Sequence, residues 1–232
     1  MNLFWQGIEQ AARLLARGDP EVIEIARLSL AVSGVATLLS LLVGVPLGTW
    51  IGLRQFPGRN LVVSLINTGM GLPPVVVGLF VSITLWRSGP LGFLELLYTP
   101  TAIVIAQLVI ALPVVMGLTI AAVQQIDPRL SLQLLGLGAS RAQLLFLLLR
   151  EARLPLLAAV MAGFGAVISE VGASLMVGGN ILHHTRVLTT ATVLETAKGN
   201  FDVAIALSLI LLAITFLINL ALTLLQQRAR PR

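Results

Sequence analysis

The chain has 232 residues, of which 57% are hydrophobic and only 11% charged, with a formal net charge of +5. Soluble domains carry about a quarter charged residues, so this composition excludes an ordinary soluble domain and places the chain among polytopic membrane proteins. Cysteine is missing, which excludes disulfides and thiolate metal sites, and the basic surplus lacks the dense runs and aromatic platform of a nucleic-acid surface.

In chain order, "MNLFWQGIEQAARLLARG" does not read as a cleavable signal peptide, because no basic start precedes an apolar core. Its Phe4, Ile8, Ala11, Ala12 and Leu15 recur at helical spacing, so residues 1–20 are expected to form an amphipathic helix at the membrane interface. Five apolar runs follow, each long enough for the roughly 20 residues that a crossing needs. They are Leu28–Trp50, Leu61–Trp86 with Pro73 and Pro74 near its middle, a third within Leu96–Ile126 beginning after Pro100, Leu154–Gly179 with Glu170 as its single charge, and Val203–Leu225. A β-barrel would instead show short alternating strands separated by turns. The expected fold is all-α and integral to the membrane, with a transmembrane domain over residues 21–227 and a basic tail at 228–232.

Five crossings put the termini on opposite sides. With the C-terminus inside, the inner segments hold nine basic residues (Arg54, Arg59, Arg129, Arg141, Arg150, Arg153, Arg228, Arg230, Arg232) against six outside (Arg13, Arg17, Arg27, Arg87, Arg186, Lys198). The positive-inside rule therefore favours N-terminus out and C-terminus in, in a bacterial or archaeal inner membrane. The insert at 127–153 then lies on the cytoplasmic side. Asp127 suits an N-cap with Pro128 in the first helical turn, and a turn near Gly136–Gly138 separates two helices, the second leading into Pro155. Held between two spans, such a helix is shaped to receive a push from a soluble protein; an ordinary positive loop is the plainer reading.

The segment "GLGASRAQLLFLLLREARLP" (Gly136–Pro155) resembles the cytoplasmic coupling loop of ATP-binding-cassette (ABC) importer permeases. Gly138 with Ala139, Ser140 and Arg141 matches its glycine segment, and Leu154-Pro155 its ending. Two departures stand out: Leu132-Gln133-Leu134 occupies the Glu-Ala-Ala position, and the interval from Gly138 to Leu154 is longer by about one helical turn. The stretches Gly163–Ile181, His184–Leu212, Gly18–Gly48 and "LPPVVVGL" (Leu72–Leu79) resemble the permease family of tungstate importers and, more distantly, molybdate and sulfate permeases. The resemblance implies a type I importer permease fold with a cytoplasmic coupling helix, working as a homodimer. It also implies two cytoplasmic ABC ATPase subunits that handle ATP and magnesium, an extracytoplasmic oxyanion-binding protein, and no cofactor or catalytic residue in this chain. The chain itself lacks a GxxxxGK[ST] phosphate loop. A carrier or independent channel is the competing class, but no repeated halves are evident.

Several residues invite both a structural and a functional reading. Glu170 needs a reason to lie in a span, either a hydrogen-bonded structural role or a gate, and Arg186 or Arg87 are candidate partners from the outer ends. Gly163, Gly165 and Gly172 read first as helix-packing sites, with Gly172 also a gate candidate. "NTGMGLPPVVVG" frees backbone groups in the second span, so Asn67, Thr68, Gly71, Pro73 and Pro74 mark either a packing kink or a pore-lining break. Gly178–Asn180 suits a helix C-terminus, and the adjacent His183 and His184 make a poor metal site. Thr189, Thr190 and Glu195 fit an outer helix that faces the pore mouth or docks the binding protein.

Overall fold

The computed structural model describes residues 3–228, so the basic tail beyond Arg228 lies outside the described residues. Eleven α-helices are found there, besides a 3-10 turn at Gly92–Leu94: α1 (Leu3–Arg17), α2 (Pro20–Leu53), α3 (Arg59–Met70), α4 (Pro74–Leu85), α5 (Pro100–Gln124), α6 (Pro128–Gly136), α7 (Arg141–Glu151), α8 (Arg153–Ile168), α9 (Gly172–Gly178), α10 (Leu188–Ala197) and α11 (Phe201–Arg228).

Helix α2 starts where Asp19 caps it, its carboxylate accepting from the Glu21 and Val22 amides at 3.0 and 3.2 Å. Its 34 residues reach about 50 Å, more than the roughly 30 Å hydrocarbon core. The surplus lies at its start, where Glu21, Glu24 and Arg27 are exposed or partly so. Helix α2 packs most extensively against α5. The buried face of α2 is a ladder of small residues at intervals of three or four: Ser29, Ser33, Ala36, Ser40, Gly44 and Gly48. A Cβ on Gly44 would lie 2.9 Å from the Val115 side chain, and one on Gly48 would lie 2.9 Å from the Met116 carbonyl oxygen. Small side chains let the two backbones approach closely, which is how helices attract each other in lipid.

The register of these contacts fixes the topology. Gly44 meets Val115, Gly48 meets Thr119 and Gly52 meets Ile120, so α2 and α5 run parallel and their C-terminal ends share one face. The chain between them must therefore cross back. Helix α3 does the first half, with Ile66 in a cluster with Ile51 and Ile120 and Gly69 against Pro113 at mid-depth. Helix α4 completes it, its Val77, Val81 and Leu85 packing with Ala102, Ile103 and Ala106 near the start of α5. The two halves are bent by 101°. Helix α8 runs antiparallel to α5, with Gly163 beside Val115 and Gln107 bonded to Val167. Helix α9 carries on after a 57° bend, its Gly178 reaching Ile103. Helix α11 returns, and Gln226 donates to the Leu154 carbonyl at the start of α8.

Five crossings result, with α6 and α7 on the same face as the end of α11, and α1 and α10 on the other. Three are single helices and two are broken, the second and the fourth. The expected second span is thus not one kinked helix. Helix α1 does more than rest on lipid: it lies against α11, where a Cβ on Gly7 would overlap the Ile205 side chain.

The seam between α2 and α5 is testable by one substitution and its control. Gly48→Leu should lower the thermal stability of the purified chain by about 1–3 kcal/mol or more, the cost of overpacking. Gly34→Leu, whose Cβ meets open space on the same helix, should leave the melting curve nearly unchanged.

Candidate functional site

The two broken crossings meet. The first break follows from proline chemistry: Pro73 and Pro74 have no N–H, and the residue before a proline is driven out of the helical region. Helix α3 therefore closes with Gly71 and Leu72 donating to the Thr68 and Gly69 carbonyls at 3.1 and 3.3 Å. Helix α4 restarts at Pro74, and the Pro73 carbonyl accepts from Val76 and Val77 at 2.9 and 3.2 Å. Between them the carbonyls of Met70, Gly71 and Leu72 accept no hydrogen bond among the described residues. Asn67, Thr68, Gly71, Pro73 and Pro74 are all exposed on the single chain. Thr68 turns its hydroxyl back to the Ser64 carbonyl at 2.9 Å; the Asn67 amide has no partner among the described residues.

The second break, at Ser169–Val171, is built differently, because here the freed groups are satisfied internally. Glu170 is only 4% exposed. One carboxylate oxygen accepts from the Ala173 amide at 2.7 Å; the other accepts from the Ser174 amide at 2.9 Å and the Ser174 hydroxyl at 2.8 Å. A carboxylate at the N-terminus of α9 also sits at the positive end of the helix dipole. The buried carboxyl group is thus held by the chain's own amides. The Glu170 carbonyl accepts from the Thr189 hydroxyl at 2.8 Å, and the Val167 carbonyl accepts from the Gln107 side-chain amide at 3.2 Å.

This corrects the expected partners of Glu170. Arg186 lies 3.4 Å from Glu21 instead, and Arg87 lines a cavity of about 310 Å³ past the end of α4 with Trp86, Glu95 and Tyr98. A Cβ on Gly172 would stand 2.7 Å from the Val75 side chain, so the start of α4 is pressed against the start of α9. Gly163 is likewise a close-approach site against Val115, whereas Gly165 faces open space. Gln107 has no counterpart among the residues singled out from sequence. It is 2% exposed, and a lone amide in an apolar span is the signal that marks it.

On the face that carries α1 and α10, Thr189 and Thr190 are buried within the chain. Thr190 donates to the Val187 carbonyl at 3.0 Å, so both hydroxyls point inward. Of the three outer candidates only Glu195 reaches the surface, with Lys198 at 2.7 Å and the Asn200 amide at 2.7 Å. The hydrogen bond from Asn200, then that from Lys198, hold its carboxyl below the usual carboxylate range. His183 faces Glu24 at 2.7 Å.

On the opposite face, Asp127 caps α6 through the Arg129 amide at 2.8 Å. Gly138 turns the chain with φ +84°. Ser140 and Gln143 then cap α7 reciprocally, at 3.3 and 2.8 Å. Leu132 and Gln133 are exposed on α6, Leu134 is partly buried, Ala139 is partly buried in the turn, and Ser140 and Arg141 are exposed. Leu137, at the apex, is 85% exposed.

The description "binding-protein-dependent transport system inner membrane component" fits the family model that matches residues 44–232. The chain is 40% identical over 227 residues to the tungstate uptake system permease protein TupB of Peptoclostridium acidaminophilum, covering 98% of this chain and 100% of that one. It is 43% identical over 214 residues to a probable anion ABC transporter permease protein of Haloferax volcanii, covering 89% and 92%. A chain from the inward-facing MetNI methionine ABC transporter superposes with a TM-score of 0.75 at 18% identity, covering 91% and 97%.

Two substitutions test the geometry. Glu170→Ala strips the acceptors from two buried amides and a hydroxyl, and should destabilise the chain by about 1–3 kcal/mol in thermal melts; Glu170→Gln, which keeps one acceptor oxygen, should lose less. Because the folded Glu195 carboxyl titrates below its unfolded value, its contribution is present above the usual carboxylate range and lost as pH falls through the folded value. The stability gap between wild type and Glu195→Gln should therefore shrink on acidification.

Proposed function

The chain belongs to the family of binding-protein-dependent transport system inner membrane components, and from that premise we propose that it forms the homodimeric pathway of an ATP-driven tungstate importer. It is the membrane permease subunit of an ABC importer, a family that works with ATPase and substrate-binding partners. The observation that carries the pathway is the uncovered break at Asn67–Pro74. Free carbonyls at mid-membrane depth are tolerated only when buried in protein or lining a wet path. A second copy across the dimer axis supplies both: protein over part of the break, and water and substrate along the rest.

In this reading the Asn67 amide and Thr68 line the route, and the junction of Pro74, Val75, Gly172 and Glu170 is the gate, since a shift of either break moves the other. The five crossings carry no lysine or arginine within their apolar stretches, so the route passes a dianion weakly, and selection rests with the extracytoplasmic binding protein. The basic surplus assigns the α6–α7 face to the cytoplasm. There the ATPase subunits bind and hydrolyse ATP, and this chain does no catalysis. The exposed Leu132, Gln133 and Leu137, with the turn at Gly138, Ala139 and Ser140, form their contact. Closure of the ATPase pair moves the α6–α7 units together, and the crossings switch between inward-open and outward-open states as rigid bodies. Tungstate as substrate is supported by the likeness over nearly the whole length to a tungstate uptake permease.

Cells lacking the gene, supplied at nanomolar levels, should lose cell-associated tungsten but not molybdenum or sulfur by mass spectrometry, and the wild-type gene should restore it. Gly138→Glu, at a left-handed backbone position that costs an ordinary residue about 1–3 kcal/mol, should leave the protein in the membrane but abolish uptake and ATPase co-purification. Gly136→Ala, in open space on α6, should do neither. Loss of molybdenum or sulfur instead would move the substrate; unchanged uptake in Gly138→Glu would remove the coupling role.

A further inference from the structure

A groove of about 580 Å³ lies between the last turns of α2 and the α6–α7 unit. Its walls are apolar, formed by Val45 and Leu53 of α2 and by Leu144 and Leu148 of α7. Two charges stand on its lining, Arg54 just past the end of α2 and Arg141 at the start of α7. Both are exposed, and neither has an ion-pair partner among the described residues. Trp50, also on the lining, stacks on Phe56 with ring centroids 5.1 Å apart, and a tryptophan at the end of a span marks the headgroup level. The groove therefore starts at headgroup depth and runs along the membrane-facing end of α2.

We propose that this groove is a binding site for one anionic phospholipid. An acyl chain fills the apolar part, and the headgroup phosphate lies between Arg54 and Arg141. The charge complementarity commits the occupant: an apolar slot with two unpaired guanidinium groups at headgroup depth fits a lipid carrying a net negative charge, whereas a zwitterionic lipid would bring a third cation beside the two arginines. One wall belongs to a crossing and the other to the α6–α7 unit, so a bound lipid braces the two against each other.

The test uses the full chain extracted in mild detergent. It is offered an equimolar mixture of phosphatidylglycerol and phosphatidylcholine, and retained lipid is read by native mass spectrometry. Wild type should retain phosphatidylglycerol preferentially, at about one molecule per chain. Arg54→Gln and Arg141→Gln should each lower that retention roughly five-fold, the scale of one basic residue beside an anionic surface. Arg129→Gln removes an equal charge from the same face outside the groove and should change nothing. Val45→Phe, which fills the slot, should lower retention of both lipids while ATPase co-purification persists. Equal retention of the two lipids by wild type, or an equal loss in Arg129→Gln, would overturn the proposal in favour of diffuse charge attraction. Loss of ATPase with unchanged lipid in Val45→Phe would overturn it by making the groove a protein contact.

Discussion

The close parallel approach of α2 and α5 is the constraint on which the rest of the architecture depends. Lipid tails offer no hydrophobic gain for bringing two apolar helices together, so the contact rests on backbones that approach through small side chains. The ladder from Ser29 to Gly48 supplies that approach along the length of α2. Because the two helices run the same way, the chain must cross between them, and that crossing is one of the two that break. Each later segment then takes its side of the membrane from a contact with α5: α8 through Val115 and Gln107, α9 through Ile103, and α11 indirectly through α8.

Two breaks at neighbouring depth face the same physical demand and answer it differently. Around Glu170 the freed amides and carbonyls are closed within the chain by a carboxylate, a threonine hydroxyl and a glutamine from α5. At Met70–Leu72 the carbonyls stay open and the surrounding residues exposed. One break is a sealed hinge and the other an unfinished surface. The two are in contact through Gly172 and Val75.

The number and order of crossings were legible because each is a long apolar run, and the helix starts at Asp127 and Pro100 were legible because caps and prolines are local chemistry. The ends were less so. Helix α2 begins at Pro20 rather than Leu28, because charged residues are tolerated once a helix leaves the hydrocarbon. The first break announced itself through Pro73 and Pro74, but not its 101° angle, nor the contact of Gly69 with Pro113 in space. The second carries no proline. Its signal is an acid followed by Val, Gly, Ala and Ser, which reads as a helix start only once Glu170 is seen to bind the amides three and four residues on. The inward turn of Thr189 and Thr190 was not legible at all, since an outer helix looks alike in sequence whichever face it buries.

The lodging of α1 on α11 bears on how the molecule is made. Gly7 and Ile205 are joined across nearly the whole length of the chain, so the apolar stripe of α1 emerges from the ribosome long before its seat exists. Through most of synthesis that stripe has only the bilayer surface to rest on, and the last crossing must be in place before the first helix can settle. Closing so distant a contact is the slowest kind of step to begin. It makes the docking of α1 a mark of completed assembly, and a chain that stops short of α11 is left with an unsheltered amphipathic end.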